Sequence, residues 1–471
     1  MTPISRLVLA AGAATLIALQ AGCAVGPTYH APLEAPVALT ELDPRLITSQ
    51  AAQADWWRSF GDPELDVLIQ RGLKANLDVR IALDRVQGAR ALFHQSQLDL
   101  APHISTDAGY ARSREQVPGF TNAPVDIEQA DLGFDAAWEI DLFGRVRHQV
   151  EAARADAEAA RDDLSQAQVE VVAEIARNYI DLRGAQARAA VAEQNAQTAE
   201  DTVHITEVRG QIGAGDPVDT ESARARLDAT QAAIPLLRAQ VAADAHRLAV
   251  LIGQRPGALD AELDQPPPAQ LTAPAAAPIG DATLFLRQRP DVRAAERRLA
   301  AETARTGAAT ADLFPRINVT GFVGFLSGDV SSLFKSSGQA WSVSPAVTWP
   351  GLDIGDALAR LRAQKAAGDE SLATYDLTVL RAVEDLQDAL VAYRERQQAV
   401  ISLAQQADAS RRAANLAHIR YKEGRIDFLR VLDAERTRLE AEDALTQAET
   451  DANLDVVSIY KALGGEVPSA S

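Results

Sequence analysis

The stretch Asp131-Leu132-Gly133-Phe134-Asp135-Ala136-Ala137-Trp138-Glu139-Ile140-Asp141-Leu142 alternates without a break. Its even positions are Leu, Phe, Ala, Trp, Ile and Leu; its odd positions are Asp131, Gly133, Asp135, Ala137, Glu139 and Asp141. A period of two puts the first set on one face of a β-strand and the second on the other. Three further stretches alternate alike. Residues 340–349 set Trp341, Val343, Pro345, Val347 and Trp349 against Ala and hydroxyl residues. Residues 316–325 set Ile317, Val319, Gly321, Val323 and Phe325 against Arg316, Asn318, Thr320, Phe322 and Gly324. Residues 103–110 set Ile104, Thr106, Ala108 and Tyr110 against His103, Ser105, Asp107 and Gly109. Strands of about ten residues with one apolar face and aromatics near their ends fit a transmembrane β-barrel. Two half-buried hairpins packed on helices would read the same way. Four strands cannot close a membrane barrel, which takes at least about eight. Open edges in lipid would leave backbone groups unpaired at several kcal/mol each. The barrel reading therefore requires more than one copy: two give eight strands, three give twelve.

The strands sit inside a larger unit that the chain uses twice. Asp78-Val79-Arg80 recurs as Asp291-Val292-Arg293, and Leu100-Ala101-Pro102-His103-Ile104 as Leu313-Phe314-Pro315-Arg316-Ile317, both 213 residues on. Trp138 and Gly144 recur as Trp349 and Gly355, 211 residues on, and Arg209, Gly213, Asp216 and Ala223 recur as Arg420, Gly424, Asp427 and Ala434 at the same offset. A shared order and offset indicate tandem duplication. The expected organisation is a signal peptide at 1–22, an extended N-terminal segment at 23–62, repeat 1 at 63–265, a Pro/Ala-rich linker and flanking segment at 266–288, repeat 2 at 289–464 and a tail at 465–471. Each repeat reads as a helix (63–100; 289–313), two strands, a very long helix (145–209; 356–422), a Gly-containing turn and a return helix (218–251; 428–462). Some 65 residues of helix extend about 100 Å and need partners throughout. In the second long helix Leu372, Val379, Leu386, Tyr393 and Val400 are spaced by seven, with Val383, Leu390 and Ala404 on the expected companion seam. That period predicts coiled-coil packing. The fold class is thus mainly α, built from duplicated long-helix hairpins, with four β-strands per chain.

Composition excludes much else. The 471 residues carry 46 Lys+Arg against 65 Asp+Glu, a net charge of −19, which argues against nucleic acid as a partner. One cysteine, Cys23, permits no internal disulfide and no cysteine zinc site. The seven histidines are scattered, and no P-loop, GxGxxG or GxSxG is present, so no catalysis, metal or cofactor is expected. Residues 1–22 carry Arg6, an apolar run from Leu7 to Leu19 and small residues up to Gly22, the layout of a secretory signal. Leu19-Gln20-Ala21-Gly22-Cys23 resembles a bacterial lipoprotein signal, with Gln20 where Leu is usual. Cys23 is the expected lipid attachment point.

Taken together, Cys23-Ala24-Val25-Gly26-Pro27, Trp56-Trp57-x-x-Phe60-Gly61-Asp62-Pro63-x-Leu65, Arg289-Pro290-Asp291-Val292-Arg293-Ala294-Ala295-Glu296, Trp349-Pro350-Gly351-Leu352-Asp353 and Val431-Leu432-Asp433-Ala434 carry a resemblance. The chain resembles the TolC-like outer-membrane channels of Gram-negative tripartite efflux systems, nearest their lipidated OprM/NodT-type branch. The resemblance implies a homotrimer with a twelve-stranded outer-membrane barrel, a twelve-helix periplasmic tunnel and a belt around it. It implies a periplasmic adaptor and an inner-membrane pump, RND-type foremost, as partners, and outer-membrane lipid around the barrel. Which compound is exported, and whether protons or ATP drive the pump, stay open. By the same resemblance the hairpin tips, centred on Gly213 and Ala214 and on Gly424 and Arg425, contact the adaptor. Leu429 and Asp433 match the aperture residues. A tip glycine that merely supplies a turn, and a Leu429 that merely packs in a coiled coil, are the competing readings. If the apolar strand face meets lipid, Asp131, Asp135, Glu139 and Asp141 line the lumen or its rim. The alternative to a channel is a lipid-anchored periplasmic coiled-coil scaffold or adaptor.

Overall fold

In a computed structural model, residues 24–32, 47–48, 55–116, 119, 123–213, 215–264, 271, 277–278 and 285–464 are described. The signal segment, Cys23, Ala214, most of the Pro/Ala-rich linker and the C-terminal tail lie outside them. The main elements are α1 (Pro63–Ala75), α2 (Leu77–Leu98), β1 (His103–Glu115), β2 (Val125–Ile140), α3 (Arg145–Gln211) and α4 (Pro217–Leu251). The second half supplies α5 (Pro290–Ala311), β3 (Arg316–Ser327), β4 (Gln339–Thr348), α6 (Ile354–Lys422) and α7 (Phe428–Leu463).

The four strands form one antiparallel sheet in the order β1-β2-β3-β4. Its register aligns the faces that each strand carries alone. Ile104 pairs with Ala136, Ala136 with Gly321 and Gly321 with Val343, and Phe134 with Val323 and Val323 with Trp341. These positions share one face, apolar except toward the β1–β2 turn, where Arg112 and Arg114 pair opposite Glu128 and Asp126. The alternation in 131–142 overshoots the strand by two residues: β2 ends at Ile140, and Asp141 and Leu142 belong to the turn before α3.

The first helix of repeat 1 is two helices. Asn76 sits between α1 and α2 with ψ at 135°, extended rather than helical. Its side chain caps the new start: Oδ1 accepts from the amides of Asp78 (2.7 Å) and Val79 (3.1 Å), and Nδ2 donates to the Leu251 carbonyl at 2.8 Å. Asn prefers this local bonding to a helix interior. The equivalent position in repeat 2, Arg289, does the same long-range job, donating to the Ala462 carbonyl at 2.8 Å. The duplication recurs at the strands. Trp138 Nε1 donates to the Leu100 carbonyl at 3.1 Å, and Trp349 Nε1 to the Leu313 carbonyl at 3.0 Å.

Contacts divide the chain into two compact units. One holds the sheet, with residues 84–161 and 294–377. There α5 packs on the start of α3 through Ala155, Ala300 and Ala301, with Tyr29 against them, and Arg297 and Arg305 pair with Glu158 and Asp156. The other holds residues 34–83, 162–293 and 378–471. Its core includes Trp56 stacked on Tyr460 at 4.7 Å, with Trp57, Phe60 and Leu65 also buried. Asp62 caps α1 and accepts from the Tyr179 hydroxyl at 2.6 Å, while Gly61 turns the chain at φ 69°. The Trp-Trp-x-x-Phe-Gly-Asp-Pro-x-Leu motif is therefore a packing and capping motif.

Along α6 the heptad is present, but its companion seam is not the expected one. Leu386, Tyr393, Ala407, Ala414 and Tyr421 are buried on the seam of Val379 and Val400. The second buried row is Ala382, Ala389, Ser410 and Ala417, whereas Val383, Leu390 and Ala404 are half-buried beside it and Leu372 is exposed. Small side chains let helices approach closely, so alanines occupy the contact and the bulkier residues flank it. The larger apolar residues were the misleading signal.

Candidate functional site

The polar face of the sheet carries the first set of candidates. Asp107 on β1 pairs opposite Gly133, which sits between Asp131 and Asp135 on the same face of β2. Asp131 lies over Gly109, where an added Cβ would meet its two carboxylate oxygens at 2.8 Å. Phe322 lies on this face too, its ring against Gly133 and Gly324; a Cβ on Gly133 would stand 2.4 Å from the ring. The two glycines make room for the aromatic, as ring-over-glycine pairs do in sheets. The face thus presents Asp107, Asp131 and Asp135 beside one ring.

The other two expected face residues are engaged elsewhere. Glu139 forms a two-pronged ion pair with Arg145 at 2.8 and 2.6 Å. Asp141, beyond the strand, is buried; its carboxylate accepts from the amides of Val146 (3.2 Å) and Arg147 (2.9 Å) and from Arg147 Nε (3.1 Å). It starts α3, the favoured place for an acidic cap. Asp107 was the residue that sequence reasoning missed. It stood on the polar side of its own strand, but only the pairing places it between the two β2 carboxylates.

The opposite face is bare. Ile104, Tyr110, Phe134, Val323, Trp341, Val343 and Val347 are all exposed large apolar side chains. Among the described residues no helix is long and apolar enough to cross a membrane, and no group of acidic, His or Cys side chains could hold a metal.

The hairpin turns form the second set. Gly213 and Gly424 have φ of 70° and 73°, and nothing lies within 4 Å of a Cβ built on either. Backbone conformation is what each glycine supplies there. Asp216 and Asp427 cap the return helices, accepting from Val218 N at 2.9 Å and Arg430 N at 3.0 Å. Arg425 is exposed and pairs with Glu423 at 3.3 Å. The turns touch each other: Arg209 donates to the Tyr421 carbonyl at 3.3 Å and its guanidinium lies 4.4 Å from the Tyr421 ring. Beneath them Val203, Ala223, Ala417, Tyr421, Phe428 and Val431 form a core. Leu429 is 64% exposed and outside that core. Asp433 is exposed and pairs with Arg436 at 2.8 Å.

A third location is the junction of β2 and α3. The Val25 amide donates to the Phe143 carbonyl at 3.1 Å, and His148 Nε2 donates to the Val25 carbonyl at 3.0 Å. Gly26, at φ 120°, is pressed against Gly307. The residues that follow Cys23 are therefore tied down at the end of the sheet.

The family model for outer membrane efflux proteins matches this chain twice, over residues 68–254 and 283–465. The chain belongs to the outer membrane efflux protein family. The two matches fall on the two repeats. Among curated relatives, the antibiotic efflux pump outer membrane protein ArpC of Pseudomonas putida is 32% identical over 459 residues, covering 94% of this chain and 93% of that protein. Outer membrane protein OprJ of Pseudomonas aeruginosa is 32% identical over 474 residues, covering 96% and 95%. Among solved structures, the outer-membrane channel OprN superposes with a TM-score of 0.90 at 44% identity, over 94% of this chain and 99% of that one. The chain is a TolC-like efflux channel component of the Gram-negative outer membrane, with a mostly helical fold and one small antiparallel sheet.

Proposed function

We propose that this chain is the exit duct of a tripartite efflux system, passing small molecules such as drugs or toxic compounds from a periplasmic pump–adaptor complex to the exterior. The observation that carries the reading is the sheet. One face exposes large apolar side chains, the other bears carboxylates, and among the described residues neither edge strand pairs further within the chain. In lipid, such a sheet is stable only once its edges close. Three copies close twelve strands, apolar face to the bilayer and Asp107, Asp131 and Asp135 to the lumen, with Glu139 at the rim held by Arg145. The duct does no chemistry and needs no cofactor; energy comes from an inner-membrane pump, RND-type by family resemblance. The turns at Gly213 and Gly424, with Ala214 and Arg425 beside them, meet the adaptor, and Leu429 and Asp433 form the aperture. Cys23 carries the lipid.

Rings of carboxylates favour cations. The purified protein in planar bilayers should conduct, and reversal potentials in a KCl gradient should report cation preference. Asp131→Asn with Asp135→Asn should weaken that preference at unchanged oligomer yield. A monomer that never conducts would instead indicate a periplasmic scaffold.

A further inference from the structure

The sheet ends in two open edges, β1 and β4, and the internal repeat specifies how such edges meet. Ile104 pairs with Ala136, and their counterparts Ile317 and Val347 pair as well. Thr106–Phe134 maps onto Val319–Pro345, and Tyr110–Ala130 onto Val323–Trp341. The two hairpins share one register without a slip. The β2–β3 pairing is different in kind: it joins the last strand of one repeat to the first strand of the next. From β4 the next repeat in line is the first one, in a second copy of the chain.

We propose that β4 of one copy pairs with β1 of the next in the register of β2 with β3. Phe134–Val323 then becomes Pro345 opposite Tyr110, Ala136–Gly321 becomes Val347 opposite Ala108, and Asp131–Leu326 becomes Ser342 opposite Ser113. The proposal rests on the oligomeric reading above and goes beyond it by fixing the seam residue by residue. Pro345 and Val347 meet Tyr110 and Ala108 on one face and Ser342 meets Ser113 on the other, while Val343 and Trp341 stand opposite Arg112 and Arg114 toward the β1–β2 turn. A slip of one residue would reverse every face. A slip of two would preserve the faces, so the repeat, and not the alternation, selects the register. Pro345 has no amide N–H and so makes one rung fewer than its neighbours.

The helices supply a separate observation. The inner helices α3 and α5 meet within the chain; α2 and α6 are their counterparts on the outer flanks. Ala294 of α5 is fully buried, whereas its counterpart Ile81 of α2 is 49% exposed. Val169 of α3 is 6% exposed, whereas its counterpart Leu380 of α6 is 67% exposed. Ala311 and Leu98, and Ile180 and Val391, repeat the contrast. At these four positions the apolar side chain is covered in the inner copy and bare in the outer one, whereas Val79, Val86 and Leu386 are buried like their counterparts Val292, Leu299 and Ile175. The bare set is what a seam between chains would cover.

Disulfide trapping in the full-length protein tests the register. Within one chain β1 and β4 are three strand spacings apart, about 14 Å at ~4.8 Å each, beyond the ~7 Å reach of a disulfide. A bond between them therefore reports two copies. Detergent-purified S342C/S113C, oxidised and run without reductant, should give covalent dimers and trimers, each variant being read against the S342C single variant. S342C/A111C and S342C/E115C, which report slips of two, should cross-link several-fold less. Stronger cross-linking in either slip variant, or an intact oligomer with no cross-link in any variant, overturns the register. A monomer in native solution, with no cross-link, overturns the oligomeric reading itself.

Discussion

Leu429 and Asp433 lie four residues apart on the first turns of α7, hence on one helix face, and both point away from the hairpin core. The proposed aperture role requires such an exposed leucine, free to meet its copies in neighbouring chains. Asp433 already has Arg436 at 2.8 Å, which offsets the repulsion of bringing like carboxylates together. Leu429→Ala with Asp433→Ala should raise single-channel conductance at normal oligomer yield. Conductance equal to the parent would leave the turns a docking role only. At this scale the sequence was legible where a residue acts through its own backbone, as at Gly213 and Gly424. It was illegible where a residue acts through a distant partner. Asp141 reads as one more polar position of a strand until the strand is seen to stop at Ile140 and its carboxylate to cap α3.

Gly184 and Gly368 both interrupt long helical patterns, and the structure separates them. A Cβ on Gly184 would stand 2.5 Å from Thr450 of α7, whereas at Gly368 the nearest neighbour, Thr306 Oγ1, is 3.8 Å away. Gly184→Ala should cost about 1–3 kcal/mol by overpacking. Gly368→Ala should stabilise by roughly 0.5–1 kcal/mol through helix propensity. Thermal unfolding followed by far-UV circular dichroism would read both, and equal effects would remove the distinction. The α6–α7 hairpin also has an acid-sensitive tie. His418 Nε2 lies 2.6 Å from one oxygen of Glu435, and Arg438 donates to the other at 2.9 Å. Burial pushes the Glu435 carboxyl up, but His418 and Arg438 outweigh it and hold it below its ordinary 4.5. A depressed carboxylate contributes stability that is complete above 4.5 and lost as pH falls through the lowered value. Glu435→Gln should therefore be less stable than the parent near neutrality, with the gap closing below about pH 4.5. Unfolding midpoints between pH 7 and 3 would test it, and a constant gap would contradict the linkage. Element length and type were legible here because helical period is local. The choice of alanines over Val383 and Leu390 for the seam was not, because it depends on how near the neighbouring helix comes.

For the whole molecule, the proposed function gives the chain two separate anchors, the lipid and the barrel. A closed barrel satisfies its own backbone in lipid, so Cys23→Ser behind an ordinary secretory signal should still assemble and conduct. Intact-mass analysis of the parent should find residues 1–22 removed and a diacylglyceryl-type adduct on Cys23. An unmodified Cys23 would remove the lipid from the account, and loss of assembly in the variant would make the lipid essential. The sequence by itself determined the strands and their alternation, the long helices and the duplication. Each of these is a period or a recurrence, read along one stretch of chain. The tertiary structure decided the break at Asn76, the alanine seam, the place of Asp107 between Asp131 and Asp135, and the single register shared by both hairpins. Those depend on which distant segment a residue meets: period two fixes the face a side chain takes, and only pairing fixes its neighbour.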